Sequence, residues 1–544
     1  MLTTSNGTMA GPMKLQTSPL ALFSLLVFWV QLAQAATQPV LVPSEALVEA
    51  AQRQDLHVVQ ALLTEGISVD APQADGTTAL AWAAHRDDLV LTRLLIKAGA
   101  SVNAANDLGM TPLMLAGANG SAEMVSLLLK AGADPAVTRP TGETALMAAA
   151  RTGAVSAVRT LVAYGADPNA VTTVGQTPLM WAAVERHAGV VAMLVAAGAN
   201  VHVRTDVLTR PGRGRGADRP TPRTLTQFEA VNPDALPRDG DRDPPRPEGG
   251  FTPLLYAVLA GDLDTVGAVL EAGACIDEAG PDGVTPLMLA LIKRHEAVAL
   301  LLLDRGADPQ PADAGYSALH LASATGSLSV ARVLLARGAD ANLRLERPQR
   351  LTDAFEIGTF RSPGSGRLTQ IGSTPFMVAA KSGDARMMRL LVESGADPRL
   401  TTDDGTTALM LAAGLGKRAA TDITYYSWTE AKAVAALQVG LEFGVDINNR
   451  NEHGETALHA AAYHNANRVI DFLVESGAAI DATNAADQTA LRIAEGHLIC
   501  CTTFVRHAQA TERLRELGAD PSVGIQLTFG LTAFGEEAES GGVR

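Results

Sequence analysis

Apolar residues along this chain come in pairs of short runs, and the pairs recur at a fixed interval. The first run of each pair is rich in alanine and leucine. The second carries a ridge of larger side chains, such as Val125, Leu128 and Leu129. Spacing of three to four residues within a run predicts a helix, so each pair predicts two short helices. The ridge of the second helix predicts the core between successive pairs.

Glycine marks this interval. Successive markers lie 33 residues apart within four groups, and all of them but one are glycines. The groups are Gly76, Gly109, Gly142 and Gly175; Gly250 and Gly283; Gly372 and Gly405; and Gly454 and Asp487. A strict period of this size indicates stacked units, none of which can bury its apolar face alone. The repeats start at residues 76, 109, 142, 175, 250, 283, 315, 372, 405 and 454, with a degenerate unit at 45–75 before them and a terminal variant from about 487.

The ends of the predicted helices also follow a pattern. Thr or Ser supplies an N-cap oxygen before each first helix, and Pro or Ala follows at the first helical position. Examples of this cap are Thr111, Thr177, Ser317 and Thr456. A glycine follows the second helix, where a left-handed C-cap is expected, and Ala-Asp then turns the chain outward. Such glycines are Gly132, Gly165, Gly306, Gly338 and Gly395.

Phrases such as "GMTPLMLAGANG" and "GETALHAAAYHN", each followed one helix later by a phrase such as "VSLLLKAGADP", closely resemble the ankyrin repeat. The resemblance covers roughly 44–522 and implies an all-α solenoid of helix-turn-helix units with short β-hairpin loops. It also implies a non-catalytic scaffold that binds another protein. The family's Thr-Pro-Leu-His histidine, which links neighbouring loops, survives only as His320 and His459, and Met at most other repeats implies looser coupling.

Ankyrin arrays usually bind partners through hairpin tips and the inner, first helices. Carried over by position, this gives tip residues Met110, Glu143, Gln176, Phe251, Tyr316 and Glu455, and first-helix exit residues Asn119, Arg151, Glu185, Lys381, Tyr463 and His464. Aromatic tips are hard to bury within one repeat, so Phe251 and Tyr316 are expected to contact the partner. Trp82, Trp181 and Tyr256 stand where the family has Leu, and we interpret them as core residues.

Three insertions interrupt the array. The Pro-, Arg- and Asp-rich insert 207–249 and the insert 344–371 both leave from hairpin tips, whereas a third, near 414–432, separates the two helices of one repeat. The third holds Tyr425, Tyr426 and Trp428, which either anchor a partner or cover the base of their own loop. The repeats thus fall into blocks 76–206, 250–343 and 372–486, between a cap at 36–75 and a cap at 487–522 followed by a tail at 523–544.

The first residues predict export. Residues 1–35 resemble a cleavable secretory signal, with Met13 as an alternative start of translation, and place the mature protein in the periplasm or outside the cell. The alternative is an uncleaved anchor, but the apolar run from Leu20 to Val30 is shorter than the roughly 20 residues needed to span a bilayer. Removing residues 1–35 deletes one Lys and no acid, so the net charge of −15 becomes −16. Such an acidic chain is not expected to bind nucleic acid.

Catalytic chemistry finds little support in the sequence. Cys275, Cys500 and Cys501 give no disulfide framework, and no hydrolase, phosphate-loop or metalloprotease motif occurs. We therefore expect a monomer without enzyme activity, cofactor or bound metal. Two alternatives remain, a structural envelope protein and a thiol- or metal-dependent module. The module would use His497, Cys500, Cys501 and His507, although their spacing matches no standard zinc finger.

Overall fold

The computed structural model describes residues 43–210, 246–281, 283–310, 315–346, 349–350, 367–368, 371–415, 428–499 and 503–524. Short helices in pairs dominate these residues, and three two-stranded antiparallel sheets accompany them. The helices are α1 (Pro43–Gln52), α2 (Leu56–Thr64), α3 (Ala79–His85), α4 (Leu89–Lys97), α5 (Pro112–Asn119), α6 (Ala122–Lys130), α7 (Ala145–Thr152), α8 (Val155–Ala163), α9 (Pro178–Val184), α10 (Ala188–Ala196), α11 (Pro253–Ala260), α12 (Leu263–Glu271), α13 (Pro286–Ile292), α14 (Glu296–Asp304), α15 (Ala318–Thr325), α16 (Leu328–Ala336), α17 (Pro375–Ser382), α18 (Ala385–Glu393), α19 (Ala408–Ala412), α20 (Glu430–Glu442), α21 (Ala457–Tyr463), α22 (Asn467–Glu475), α23 (Ala490–Glu495) and α24 (Ala508–Glu516). The strands are β1 (Val207–Arg210), β2 (Arg246–Gly249), β3 (Gln349–Arg350), β4 (Arg367–Leu368), β5 (His497–Ile499) and β6 (Thr503–Val505).

The described residues divide into two compact units, one within 1–115 and 127–134 and one within 116–126 and 135–544. In the first unit, α1 packs on α2, α3 packs on α4, and α1 packs on α3. The degenerate N-terminal repeat thus forms both of its helices, although it lacks the Thr-Pro-Leu phrase. The loop tips next to Gly76 and Gly109 are joined by a backbone hydrogen bond, in which Asp107 N donates to Asp75 O at 3.0 Å.

In the second unit, the helix pairs stack in sequence order. Each first helix from α7 to α23 packs on the first helix of the next repeat, and each second helix from α8 to α24 packs on the next second helix. This order continues across all three insertions. It confirms the predicted helix-turn-helix solenoid within this unit.

The core of the second unit forms between repeats, as the apolar ridges predict. Val158, Leu161, Val191 and Leu194 on the second helices have no exposed surface. First helices of two successive repeats lie close together at Gly117. A Cβ atom on Gly117 would lie only 2.7 Å from Ala145 O in the next first helix. A larger residue at this glycine would therefore push the two helices apart.

The predicted helix ends are confirmed. Thr177 Oγ1 accepts a hydrogen bond from Met180 N at 3.3 Å, and most other first helices start with an equivalent threonine cap. The glycines that follow the second helices adopt left-handed angles, such as φ 91° at Gly165 and φ 97° at Gly395.

Paired strands flank two of the insertions. Strand β1 pairs with β2, and strand β3 pairs with β4, so the first and last strands of each of these insertions lie next to each other. Asp206 N donates to Val174 O at 3.1 Å, just as Thr173 N donates to Thr141 O at 2.9 Å one repeat earlier. Strand β1 therefore begins directly after a loop residue, Asp206, that is bonded to the preceding loop tip. The third insertion separates α19, which has only five residues, from α20.

Several residues predicted to have special roles lie outside the described part of the chain. These are the signal-like segment 1–35, Tyr425, Tyr426, Cys500 and Cys501. Within the described residues, none of the helices combines the length and the apolar character that crossing a membrane requires.

Candidate partner-binding surface

Side-chain hydrogen bonds close several loop tips and fix the residue after the marker glycine. Asn106 Oδ1 accepts from Met110 N at 2.9 Å, and Asn451 Oδ1 accepts from Glu455 N at 2.9 Å. Both Met110 and Glu455 are half-buried. These two predicted contact residues therefore lie on rigid turns with part of each side chain accessible.

Two other tip residues form bonds within the repeats instead of presenting free polar groups. Glu143 forms an ion pair with Arg139 in its own turn. Gln176 Nε2 donates to Tyr256 Oη at 3.1 Å, which joins two successive repeats, and burial raises the pKa of Tyr256. Both Glu143 and Gln176 are half-buried, so they offer a partner only part of their surface.

The expectation that Phe251 and Tyr316 stay exposed is wrong, because only 4% of each residue is exposed. Phe251 N donates to Thr205 Oγ1 at 2.9 Å, and its ring lies 5.7 Å from the ring of Tyr256. Thr205 belongs to the preceding repeat. Phe251 is therefore bonded to the neighbouring repeat as well as packed within its own, whereas its predicted exposure followed from one repeat alone.

The first-helix ends show a contrast along the second unit. We use this term for the last two residues of a first helix and the residue that follows it. Asn119, Arg151 and Glu185 are exposed at these ends, whereas Lys381, at the position equivalent to Arg151, is only 6% exposed. The prediction of an accessible Lys381 is therefore wrong. Exposed first-helix ends thus occur in the repeats starting at 109, 142 and 175, and Tyr463 is another in the repeat starting at 454.

The two predicted core tryptophans are only half-buried, whereas Tyr256 is buried at 4% exposure. The core interpretation is thus confirmed for Tyr256 and incomplete for Trp82 and Trp181. The guanidinium of Arg151 lies over the Trp181 ring, 5.6 Å from its centroid. A half-buried indole with an arginine over its ring forms a stable platform at the first-helix ends.

Histidines tie the first-helix ends of successive repeats together. His187 Nε2 lies 3.0 Å from Arg151 O, and His295 Nε2 lies 3.2 Å from Leu259 O. His464 Nε2 makes the same contact with Gly414 O at 2.8 Å, and so does His507 Nε2 with Tyr463 O at 3.0 Å. Burial is the main cause that lowers the pKa of His295 and His507, so their neutral forms are favoured and Nε2–H can donate.

The aromatic residues near the third insertion pack against the array. Trp428 Nε1 donates to Ala412 O at 3.0 Å, at the end of α19, and its ring lies 6.5 Å from that of His464. Tyr463 is 37% exposed and contacts His464 edge-on at 5.5 Å. For Trp428, these contacts favour covering the base of the loop, while Tyr463 keeps accessible surface for a partner.

The thiol or metal candidate is only partly within the described residues. His507 is described, and its ring bonds to the Tyr463 carbonyl of the preceding repeat. The His497 side chain, Cys500 and Cys501 lie outside the described part. Among the described residues, no three His, Cys, Asp or Glu side chains are grouped so that they could hold a metal ion.

Sequence reasoning missed the residues that precede the coupling histidines. Arg186 and Arg294 adopt left-handed angles, φ 66° and φ 60°, where other repeats place Gly153, Gly261 or Gly326. The repeated Arg-His dipeptide at 186–187 and 294–295 was the available signal.

The chain matches models of the ankyrin repeat family along most of its length. A model of three ankyrin repeats matches residues 47–139, 132–205, 234–313, 256–344 and 360–423, and a model of many copies matches residues 441–494. These matches cover well over half of the chain.

Curated relatives carry the same repeats. Ankyrin repeat protein nuc-2 of Neurospora crassa is 32% identical over 179 residues, which are 31% of this chain and 17% of that protein. Ankyrin repeat and SOCS box protein 16 of Mus musculus is 36% identical over 214 residues, 38% of this chain and 46% of that protein. The human B-cell lymphoma 3 protein is 33% identical over 281 residues, 51% of this chain and 53% of that protein. The chain thus spans about half or less of each relative's length, and by sequence and fold it belongs to the ankyrin repeat family.

Proposed function

We propose that this protein is an exported, non-catalytic scaffold that binds another protein through the exposed first-helix ends of the repeats starting at 109, 142 and 175. The observation that carries the proposal is the contrast in exposure. Asn119, Arg151 and Glu185 are exposed, whereas Lys381, which occupies the position of Arg151 in a later repeat, is only 6% exposed. Ankyrin repeats typically serve as interaction modules, which supports a binding role over catalysis.

The exposed first-helix ends also carry residue types that are common at the centre of protein interfaces. Tryptophan and arginine dominate the residues that contribute most to protein binding. Trp181 is half-buried, and the Arg151 guanidinium lies 5.6 Å from the centroid of its ring. The Arg151 carbonyl is held in turn by His187. Because the Arg151 side chain already lies over the Trp181 ring, these two side chains lose less conformational entropy when a partner docks.

Export is the second part of the proposal and is supported by the sequence pattern of residues 1–35. Cell fractionation and N-terminal sequencing of the mature protein test it. We expect the protein in the envelope or the medium, with a new N-terminus after Ala35. Full-length protein in the cytoplasm would contradict export without affecting the binding surface.

Site-specific photo-crosslinking tests the binding surface. A photoreactive amino acid is placed at Asn119 or at Glu185, and in a matched control at Arg159, which is exposed on the second helix α8. After irradiation in the native host, we expect a discrete protein adduct from Asn119 and Glu185 and none from Arg159. Equal adducts from all three positions, or none from any, would contradict the proposal.

A further inference from the structure

Arg151 carries a positive charge that no acidic group of the array neutralises. Its side chain projects from the first helix α7 towards the next repeat, where the guanidinium lies 5.6 Å from the centroid of the Trp181 ring. Within the described residues, this exposed guanidinium has no hydrogen bond and no ion pair. A cation–π contact holds a guanidinium without an oxygen acceptor, so the N–H donors of Arg151 remain available to a partner.

The next repeat holds Arg151 at both ends of the residue. His187 Nε2 lies 3.0 Å from the Arg151 carbonyl oxygen, and the ring of Trp181 lies against the guanidinium. Both His187 and Trp181 belong to the repeat starting at 175. The position of the cation is therefore determined by the stacking of two repeats, and less of its conformational freedom is lost when a partner binds.

The indole of Trp181 adds to the positive character of this position. Its N–H group is buried and has no hydrogen-bond partner among the described residues. The tryptophan at the same position of a repeat in the first unit differs in this respect, because Trp82 Nε1 donates to Gln73 Oε1 at 3.2 Å. An N–H group without an acceptor keeps its partial positive charge uncompensated, so the potential beside Arg151 favours an anionic group.

The residues around this cation limit the negative charge that a partner can bring. Ala148, three residues before Arg151, and Val184, three residues after Trp181, lie on the same helix faces and are half-buried, so they offer apolar surface. Glu185 is exposed one residue further along and repels further acids. The net charge of −15 repels a polyanion as well. A single carboxylate between apolar side chains therefore complements this surface better than a run of acids does.

We infer that Arg151 and Trp181 form a docking site for one Asp or Glu side chain of a partner protein, flanked in that partner by apolar residues. We call this pair the carboxylate site. The guanidinium binds the carboxylate through two parallel N–H···O bonds, a geometry that an ammonium group does not provide. This inference rests on the proposed function, since it names the chemical group that the exposed first-helix ends recognise.

Peptide selection tests the carboxylate site without knowledge of the partner. A random 12-residue peptide library displayed on phage is selected in parallel against the full-length wild-type protein and against the variant Arg151→Gln. We expect the wild type to enrich peptides with a single acidic residue between apolar residues, and the variant to lose this enrichment. The Arg151 side chain is exposed and its carbonyl keeps the contact with His187, so the variant retains the fold.

Fluorescence anisotropy then measures the affinity for a selected peptide and for the same peptide with its acid replaced by the corresponding amide. We expect Arg151→Gln and the amide peptide each to weaken binding about tenfold, and their combination to weaken it no further, because both changes remove the same bond. The matched control Arg159→Gln removes an equal charge from an exposed position on α8 and should bind as the wild type does. Acidic enrichment that persists in Arg151→Gln, additive losses, or equal weakening in the control would overturn the inference.

The outcome is distinguishable from that of the proposed function. If the crosslinking experiment yields no partner while the selected peptides bind through Arg151, the carboxylate site stands and the wider scaffold proposal fails. If crosslinks form at Asn119 and Glu185 but the selected peptides bind Arg151→Gln as they bind the wild type, the scaffold stands and the carboxylate site fails.

Discussion

His320 couples two repeats across the insertion 344–371, and its burial makes this coupling sensitive to pH. His320 Nδ1 accepts from Ser317 N at 3.2 Å, and Nε2 donates to Ser373 O at 3.0 Å. The side chain is fully buried, and burial lowers the pKa of His320 from 6.5 to about 4. His459 makes the equivalent bond to Gln488 O at 3.0 Å and has a pKa of about 4 for the same reason.

The direction of the pH effect follows from these pKa values. Well above pH 6.5, both histidines are neutral in the folded and the unfolded chain, so their contribution to stability is complete. As the pH falls from 6.5 towards 4, the unfolded chain binds protons that the folded chain does not, and stability decreases. Each histidine lowers the free energy of unfolding by about 1.4 kcal/mol per pH unit, or about 3 kcal/mol over this range.

The perturbation is His320→Met, because six other repeats carry methionine at this helical position. At pH 7.5 we expect the variant to lose about 1–3 kcal/mol, since Ser373 O loses its buried donor. Between pH 7.5 and 5.0 the variant loses less stability than the wild type, by about 2 kcal/mol. At pH 5.0 the two proteins therefore have nearly equal stability.

Hydrogen exchange measured by mass spectrometry suits a repeat array, because it reports the stability of each segment separately. The amides of α15 and α17 are followed at pH 5.0 and 7.5 after correction for intrinsic exchange rates. Met288→Leu, at the same position of another repeat, is the control and should leave the pH dependence unchanged. A pH dependence in His320→Met equal to that of the wild type would refute the reasoning.

Three further substitutions test other parts of the account. Gly261→Ala combines a left-handed backbone angle with a clash against His295, whereas a Cβ atom at Gly273, also left-handed, meets nothing within 4 Å. We therefore expect Gly261→Ala to lower the free energy of unfolding by about 1–3 kcal/mol more than Gly273→Ala does. Equal urea midpoints for the two variants would contradict the clash. Asp262→Ala removes the N-cap bond to Thr265 N at 3.0 Å and should cost about 1 kcal/mol by thermal unfolding; an unchanged melting temperature would show that the cap contributes nothing. Arg186→Gly should raise stability by up to about 1 kcal/mol, and a lower melting temperature would reveal a structural role for this arginine.

The stack of helix pairs could be predicted from the sequence because each repeat carries the same information independently. Thr177 and Gly165, for example, mark the start of one helix and the end of another, and both have the predicted conformation. The other repeats agree on the same period. An error in one unit would not change the predicted fold.

Burial at the loop tips could not be predicted from one repeat. Phe251 is buried against Tyr256 of its own repeat, but its backbone is held by Thr205 beyond the insertion 207–249. The exposure of Lys381 was misjudged for a related reason, since the position alone does not show how the surroundings of each repeat differ. The error at Phe251 concerns a contact beyond the repeat itself.

The coupling between glycine and histidine was missed because its members are distant in sequence. His187 reaches Arg151 O, 36 residues earlier, and fills the space beside Gly153. No short motif encodes this contact. Only the Arg-His dipeptides in two alternate repeats hinted at a shared role for this position.

The most direct test of the central claim is a hydrogen-exchange footprint of the protein in complex with the partner recovered by crosslinking. If the first-helix ends of the second unit bind that partner, amides at 148–153 and 181–187 become protected on binding, while those at 156–163 on α8 stay unchanged. Protection confined to the second helices, with none at 148–153 or 181–187, would contradict the account.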